Sequence, residues 1–393
     1  MRLLVTFAGG YGHLAPMLPV AHAVVAAGHE VAVAPRPALA AMVEAAGLPA
    51  FATGDPALDP VPVRRPLRPI DPAAEDRVLV EGFAGVVARD RAGALLDLIG
   101  RWAPDVVLCD EVDFGAMVAA EGSGVPYAVT VSMPAGTFVR RKLLTDVLAS
   151  LRAERGLPPD PDLALLDGQL VLVPAPPSFR DPAVPLPALA RSIRPADPEP
   201  HRRSSGWGLP DTGRRLVYAS LGTAFNQEAG DLYARVVAGV RDLPVDLLVT
   251  VGRELDPAEL GPQPGNVRVE RYVPQWAVLP HAAVAVTHGG SGGVLGALAH
   301  GVPVVALPLG ADQPSNAARV EALGVGLVLD AVTATPAEIG AAVARALDDP
   351  DRRAAAERLR DECADLPTPA EAVGWLEALA DGQVVFRQTE RRS

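Results

Sequence analysis

The stretch AVAVTHGGSGGVLGALAHG, residues 283–301, decides how the second half of the chain folds. Its apolar opening, which ends at Thr287, reads as a buried strand. Four glycines follow within five residues (Gly289, Gly290, Gly292, Gly293), and helical spacing then runs to a stop near Gly301. A strand that turns through a glycine loop straight into a helix gathers unpaired N–H groups and the positive end of a helix dipole at one spot. Glycine lets the backbone come close to a ligand there, which suits a phosphate or diphosphate. A bare β–α turn needs neither so many glycines nor the histidine, His288, before them. The loop lacks the Gly-Lys-Ser/Thr of a Walker loop.

Around it the second half alternates strand and helix. Strands are expected at 214–222, 245–252, 266–274, 283–290 and 302–310. Three further segments sit at strand ends of the same sheet. YASLGTAFNQ (218–227) offers Ser220, Gly222 and Thr223 as donors to phosphate, with a capped turn as the plainer reading. YVPQW (272–276) brings Tyr272, Val273, Gln275 and Trp276; an aromatic there can stack on a nucleobase or simply pack. PLGADQPSN (308–316) sets Asp312 beside Gln313, a pair suited to sugar hydroxyls, with helix capping by Asp312 as the alternative.

The first half has the same rhythm: strands at 2–8, 29–35, 104–110 and 125–131, with helices at 16–28, 38–47 and 114–122. Near-continuous apolar strands separated by helices mean a parallel sheet covered on both faces. Between the halves, PADPEPHRRSSGWGLPDTG (195–213) is polar and rich in Pro, Gly and Ser, and reads as a linker. The organisation expected is therefore 1–194, a linker 195–213, 214–372 and a terminal segment 373–393. The fold class is α/β, two doubly wound parallel-sheet domains facing a cleft, with ligands at the carboxyl ends of the strands.

At the start of the chain, FAGGYGHLAP (7–16) carries Gly10-x-Gly12-x-x-Ala15 after a strand, the glycine pattern of a dinucleotide-binding loop. That pattern calls for an acid about 20 residues on, at the end of the second strand. Here the second strand ends in VAVAPR and the acid, Glu30, comes before it. Arg36 at this point keeps an NADP-dependent oxidoreductase open, whereas Pro16 and Pro19 disturb the helix start a pyrophosphate would need. His13 instead stands at a strand end with a near-neutral pKa, as a general base requires.

Net charge is −12, and no Lys/Arg stripe exists to hold nucleic acid; VRRPLRP (63–69) and HRRSSG (201–206) read as solvated loops. The two cysteines, Cys109 and Cys363, have no C-x-x-C partner, which argues against a metal or disulfide framework. No stretch reaches about 18 apolar residues, so no membrane span is expected. The first apolar run is too short for a signal peptide, which makes the cytoplasm the simplest location. Two D-x-D strings, Asp160–Asp162 and Asp349–Asp351, read as solvated turns. A homodimer is open.

Taken together, HGGSGG, YVPQ, the Asp312-Gln313 pair and the opening Gly-x-Gly-His turn resemble the family 1-like, GT-B glycosyltransferases that act on antibiotics and macrolides. The resemblance spans the chain and is strongest over 1–35 and 266–330. It implies two Rossmann-like domains, an acceptor domain and a nucleotide-sugar domain, the terminal segment packing back on the first. It implies inverting transfer of a (deoxy)hexose from a dTDP- or UDP-sugar to a lipophilic natural-product aglycone, with no metal and no cofactor beyond the nucleotide-sugar cosubstrate. His13 would be the base and Asp110 its carboxylate partner, Asp113 being the runner-up. The donor site would comprise Ser220, Gly222, Thr223, Tyr272, Val273, Gln275, His288, Gly289, Gly290, Ser291, Gly292, Gly293, Asp312 and Gln313. Gly12, Asp113, Met133 and the loops 53–80 and 132–145 would meet the acceptor. The pattern is departed from at Gly293, where the family carries Ser or Thr; Ser291 is the candidate substitute. Tyr272 stands where plant members carry Trp, which leaves UDP and dTDP both open. Alternatives are transfer to a lipid-linked or cell-wall intermediate and a nucleotide-sugar-binding protein without transfer activity.

Overall fold

The computed structural model describes residues 1–59, 63–198, 212–223 and 225–383. Two six-stranded parallel sheets are built in turn along the chain. The first contains β1 (Arg2–Thr6), β2 (Glu30–Ala34), β3 (Val106–Asp110), β4 (Tyr127–Thr130), β5 (Leu170–Val173) and β6 (Ala190–Ser192), in the order β2-β1-β3-β4-β5-β6. The second contains β7 (Arg215–Ser220), β8 (Val245–Thr250), β9 (Val267–Glu270), β10 (Ala282–Thr287), β11 (Val304–Ala306) and β12 (Gly326–Val328), in the order β12-β11-β10-β7-β8-β9.

The order follows from the sequence pattern. Strands such as Val106–Asp110 are buried at every position, as only a sheet covered on both faces demands. Each sheet reverses its winding once, between β1 and β3 in the first and between β7 and β10 in the second. Side chains leaving neighbouring strands at such a switch point diverge and open a crevice at the carboxyl ends. The residues just after β1 and β10, and at the ends of β3 and β7, therefore line the crevices where such folds offer room for a ligand.

The sequence reading missed β5, β6 and β12. They are only three or four residues long, and β5 runs into a Pro-rich stretch. The segments 266–274 and 302–310 end as strands at Glu270 and Ala306, and their Pro-containing tails are loop. Helix 16–28 starts at Leu18, its Pro19 accommodated in the first turn. The segment 53–80 is not all loop, because Pro72–Arg77 begins a helical run that passes through π-helical geometry at Val78–Val87 into Ala88–Trp102.

Most of the 195–213 linker, with HRRSSG and His201, lies outside the described residues. On its near side Arg319 donates to the Ser178 and Phe179 carbonyls at 2.9 and 3.1 Å, tying the two sheets' layers together. Across the cleft Arg64, in the expected solvated loop, makes a two-pronged contact with Glu259 (2.8 and 2.6 Å). The final helix, Pro369–Ala380, places Ala372, Val373, Leu376 and Leu379 in one apolar cluster with Leu3, Val5 and Val20 of the first sheet's layer.

Candidate active site

The acceptor half begins where β1 ends. The chain turns into a short helix, Tyr11–Leu14, which carries His13. Gly9 makes this turn: a Cβ there would lie 2.1 Å from the His13 ring. At Gly10 and Gly12, the pair of the dinucleotide-loop pattern, a Cβ would meet nothing within 4 Å. Gly12 contributes an exposed backbone position and is not what holds His13.

Neighbouring β3 ends at Asp110, fully buried, and Asp110 Oδ2 lies 2.9 Å from His13 Nδ1. Ser132, after β4, donates to the other carboxylate oxygen at 2.7 Å. A carboxylate is acceptor-only, so Nδ1 carries the proton and Nε2 is left for a substrate. Burial alone would push the imidazolium down. Asp110, by charge and hydrogen bond, and behind it Glu111 and Asp312 hold it up at about 9. Glu111 shares the network: burial and the Asp110 charge raise its carboxyl to about 8, against the Met133 N–H donating to it at 2.6 Å. Phe83, on the π-helical segment, closes one side with its ring 6.1 Å from His13, and Phe138 packs edge-on behind it.

The donor half is built on the second switch point. His288 follows β10, and its ring is held between glycines of two loops. A Cβ at Gly222, whose φ is +77°, would lie 2.5 Å from the ring, as would one at Gly290. Gly290 then opens helix Ser291–Leu298. Ser220, Gly222, Gln275, Thr287, His288 and Gly293 are among the residues lining a small, partly open pocket here. Burial lowers the His288 imidazole to about 4, with Asp312 opposing, so the ring is neutral at ordinary pH. Asp312 does not cap its own helix. Its Oδ2 accepts from the Ser291 hydroxyl (2.6 Å), the Ser291 N–H (3.2 Å) and Asn316 Nδ2 (2.7 Å), fastening the glycine loop to the next strand end. Thr137 of the first half hydrogen-bonds Ser315 of the second beside it, and Asp312 is among the charges raising His13.

Residues 234–379 match the domain family described as "Erythromycin biosynthesis protein CIII-like, C-terminal domain". The chain is 32% identical over 434 residues to the 4'-demethylrebeccamycin synthase of Lentzea aerocolonigenes, covering 96% of this chain and 99% of that protein. It belongs to the antibiotic glycosyltransferases. The L-demethylnoviosyl transferase of Streptomyces niveus is 34% identical over 397 residues, covering 94% of this chain and 96% of the other. Among solved structures, spinosyn rhamnosyltransferase SpnG complexed with thymidine diphosphate superposes with a TM-score of 0.78 at 28% identity, over 96% of this chain and all of that one. The two facing sheets are the GT-B fold.

Several expected site residues of this glycosyltransferase lie elsewhere. Asp113 is 1% exposed and bound in a buried pair with Arg91 (2.9 and 2.7 Å); it also caps helix Phe114–Ser123. It faces no acceptor. The Met133 side chain is buried in the core and only its N–H joins the network. Val273 is 6% exposed and packs in the apolar core. Gln313 is 1% exposed, and its side-chain oxygen accepts from the Leu309 and Gly310 N–H groups (2.7 and 3.1 Å), which leaves Asp312 as the open member of the pair. Gln275 donates to the Gly292 carbonyl at 2.9 Å and so braces the loop. Tyr272 is 40% exposed, with the Arg253 guanidinium 5.3 Å over its ring. Thr223 is exposed beside the loop, and Gly289 backs onto Gln313.

Ser291 spends its hydroxyl on Asp312 and does not stand in for the hydroxyl missing at Gly293. Arg36, the cation an NADP reading relied on, is paired with Asp59 at 3.1 Å. Asp160 accepts two backbone N–H groups and Asp349 caps helix Pro350–Asp365. Among the described residues no group of three His, Cys, Asp or Glu could hold a metal, and no helix is long and apolar enough to cross a membrane. The sequence reading missed Gly9, Ser132, Glu111, Asn316 and Thr287. Gly9, Ser132 and Asn316 lie inside the marked segments 7–16, 132–145 and 308–316, and Thr287 and Glu111 adjoin His288 and Asp110, but nothing in the sequence shows the contacts they make.

Proposed function

We propose that this glycosyltransferase moves a (deoxy)hexose from a dTDP-sugar, with UDP as the other candidate, to a hydroxyl of a lipophilic natural-product aglycone, inverting the anomeric centre. The observation that carries the reading is the 2.9 Å contact between His13 Nδ1 and buried Asp110, with Nε2 left toward the cleft that Asp312 shares. His13 Nε2 takes the acceptor proton as the acceptor oxygen bonds to the anomeric carbon. The bond from that carbon to the diphosphate oxygen breaks on the opposite face, and Asp110 stabilises the imidazolium formed. The departing charge falls on the amides at Gly289–Gly293, the start of helix Ser291–Leu298 and His288. In this scheme those groups hold the leaving group without a metal.

The thymidine diphosphate seen with SpnG supports dTDP. Phe83, its ring 6.1 Å from His13 and Phe138 packed against it, supports an apolar acceptor. The test is His13→Ala with a dTDP-sugar and an aglycone alcohol. Transfer falls by about 10²–10⁴-fold, the usual worth of a general base, while dTDP binding measured by calorimetry is unchanged. Undiminished transfer rules out His13 as the base.

A further inference from the structure

His288 is a neutral ring, and a neutral imidazole has one N–H to give. Which nitrogen carries it decides whether the ring can donate into the cleft. Nε2 lies in the gap between the two loops, 2.6 Å from where a Cβ on Gly222 would sit and 2.5 Å from one on Gly290. Nδ1 faces back into the fold, 3.3 Å from the Thr287 hydroxyl. Thr287 ends β10 and is 4% exposed. Its oxygen already accepts the Gly289 N–H at 3.3 Å. Its proton has one acceptor within reach among the described residues, and that is His288 Nδ1. A buried hydroxyl proton with no acceptor is penalised, so the proton is donated to Nδ1 and the ring's own proton goes to Nε2.

Gly293 completes the arrangement. A Cβ there would be 2.7 Å from Thr287 Oγ1, so any larger residue displaces the hydroxyl.

Resting on the donor-site reading above, we propose that Thr287 is a positioning residue that fixes His288 as the Nε2–H tautomer, ready to donate to the leaving diphosphate, and that glycine at 293 is what admits its hydroxyl. The donation strengthens as charge builds on the diphosphate oxygens, so it favours the transition state over the bound sugar nucleotide. In this reading Thr287 acts through the His288 ring.

The test is ¹⁵N NMR of the histidine rings in the full-length protein at neutral pH, with dTDP affinity by calorimetry. The wild type shows His288 protonated at Nε2 and bare at Nδ1. Thr287→Val, close in shape, gives a mixed or inverted signature and about tenfold weaker dTDP binding, the loss of one hydrogen bond to a charged group. Thr287→Ser keeps the wild-type signature. Gly293→Ala reproduces the valine result by displacing the hydroxyl. A wild-type ring protonated at Nδ1, or a Thr287→Val ring unchanged from wild type, overturns the proposal. His288→Gln separates the two levels: dTDP affinity unaffected by it contradicts the donor-site reading, whatever tautomer Thr287 sets.

Discussion

The two histidines make the instructive comparison. His13 and His288 each follow a strand at a switch point, and each ring lies against a glycine whose Cβ would collide with it. Yet His13 is held up at about 9 and His288 pushed down to about 4. The difference lies behind the ring. Nδ1 of His13 meets a buried carboxylate and Nδ1 of His288 a hydroxyl. A carboxylate stabilises the imidazolium and makes a base; a hydroxyl cannot, and burial leaves a neutral donor.

Asp110→Asn attacks that difference most strongly. It removes the charge and lets Nδ1 accept from the amide, which misplaces the ring proton. Transfer at neutral pH falls by about 10²–10⁴-fold, seen in steady-state kcat, with dTDP affinity kept. Next come the glycines that hold the rings. Gly222→Ala puts a methyl into His288 at a φ of +77°; strain of about 1–3 kcal/mol is expected, as a lower melting temperature with weaker dTDP binding. Gly9→Ala displaces His13 and lowers kcat, whereas Gly12→Ala, facing open space, leaves kcat within about twofold. A shift smaller than that of Asp110→Asn is expected at the residue the two sites share. Asp312→Asn withdraws one of the charges raising both rings, so the pH profile of kcat/KM moves down, by less than in Asp110→Asn because Asp110 is the larger influence on His13.

Both sheets were legible in outline because their central strands are apolar runs that end in glycine or an acid. The short outer strands β5, β6 and β12 carry too few residues to show a pattern. Asp110 could be preferred to Asp113 from its place at a strand end, but what excludes Asp113 is Arg91, 22 residues away in sequence. The glycine pattern at 10 and 12 matched a loop motif, while the glycine that lies against the His13 ring is Gly9, a contact that exists only once His13 folds back over it. Ser132 and Thr287 act through tertiary proximity to groups on other strands or through a hydroxyl proton, which one-dimensional spacing does not express.

The most direct measurement is the pH dependence of kcat/KM for the wild type, which reports the free enzyme's base. Because the base works only unprotonated and His13 binds its proton up to about 9, kcat/KM rises about tenfold per pH unit from neutrality and levels above that value. Asp110→Asn moves the inflection well down. A wild-type profile flat from neutrality to alkaline pH, or an inflection unmoved in Asp110→Asn, contradicts the assignment of His13 and Asp110 as the catalytic pair.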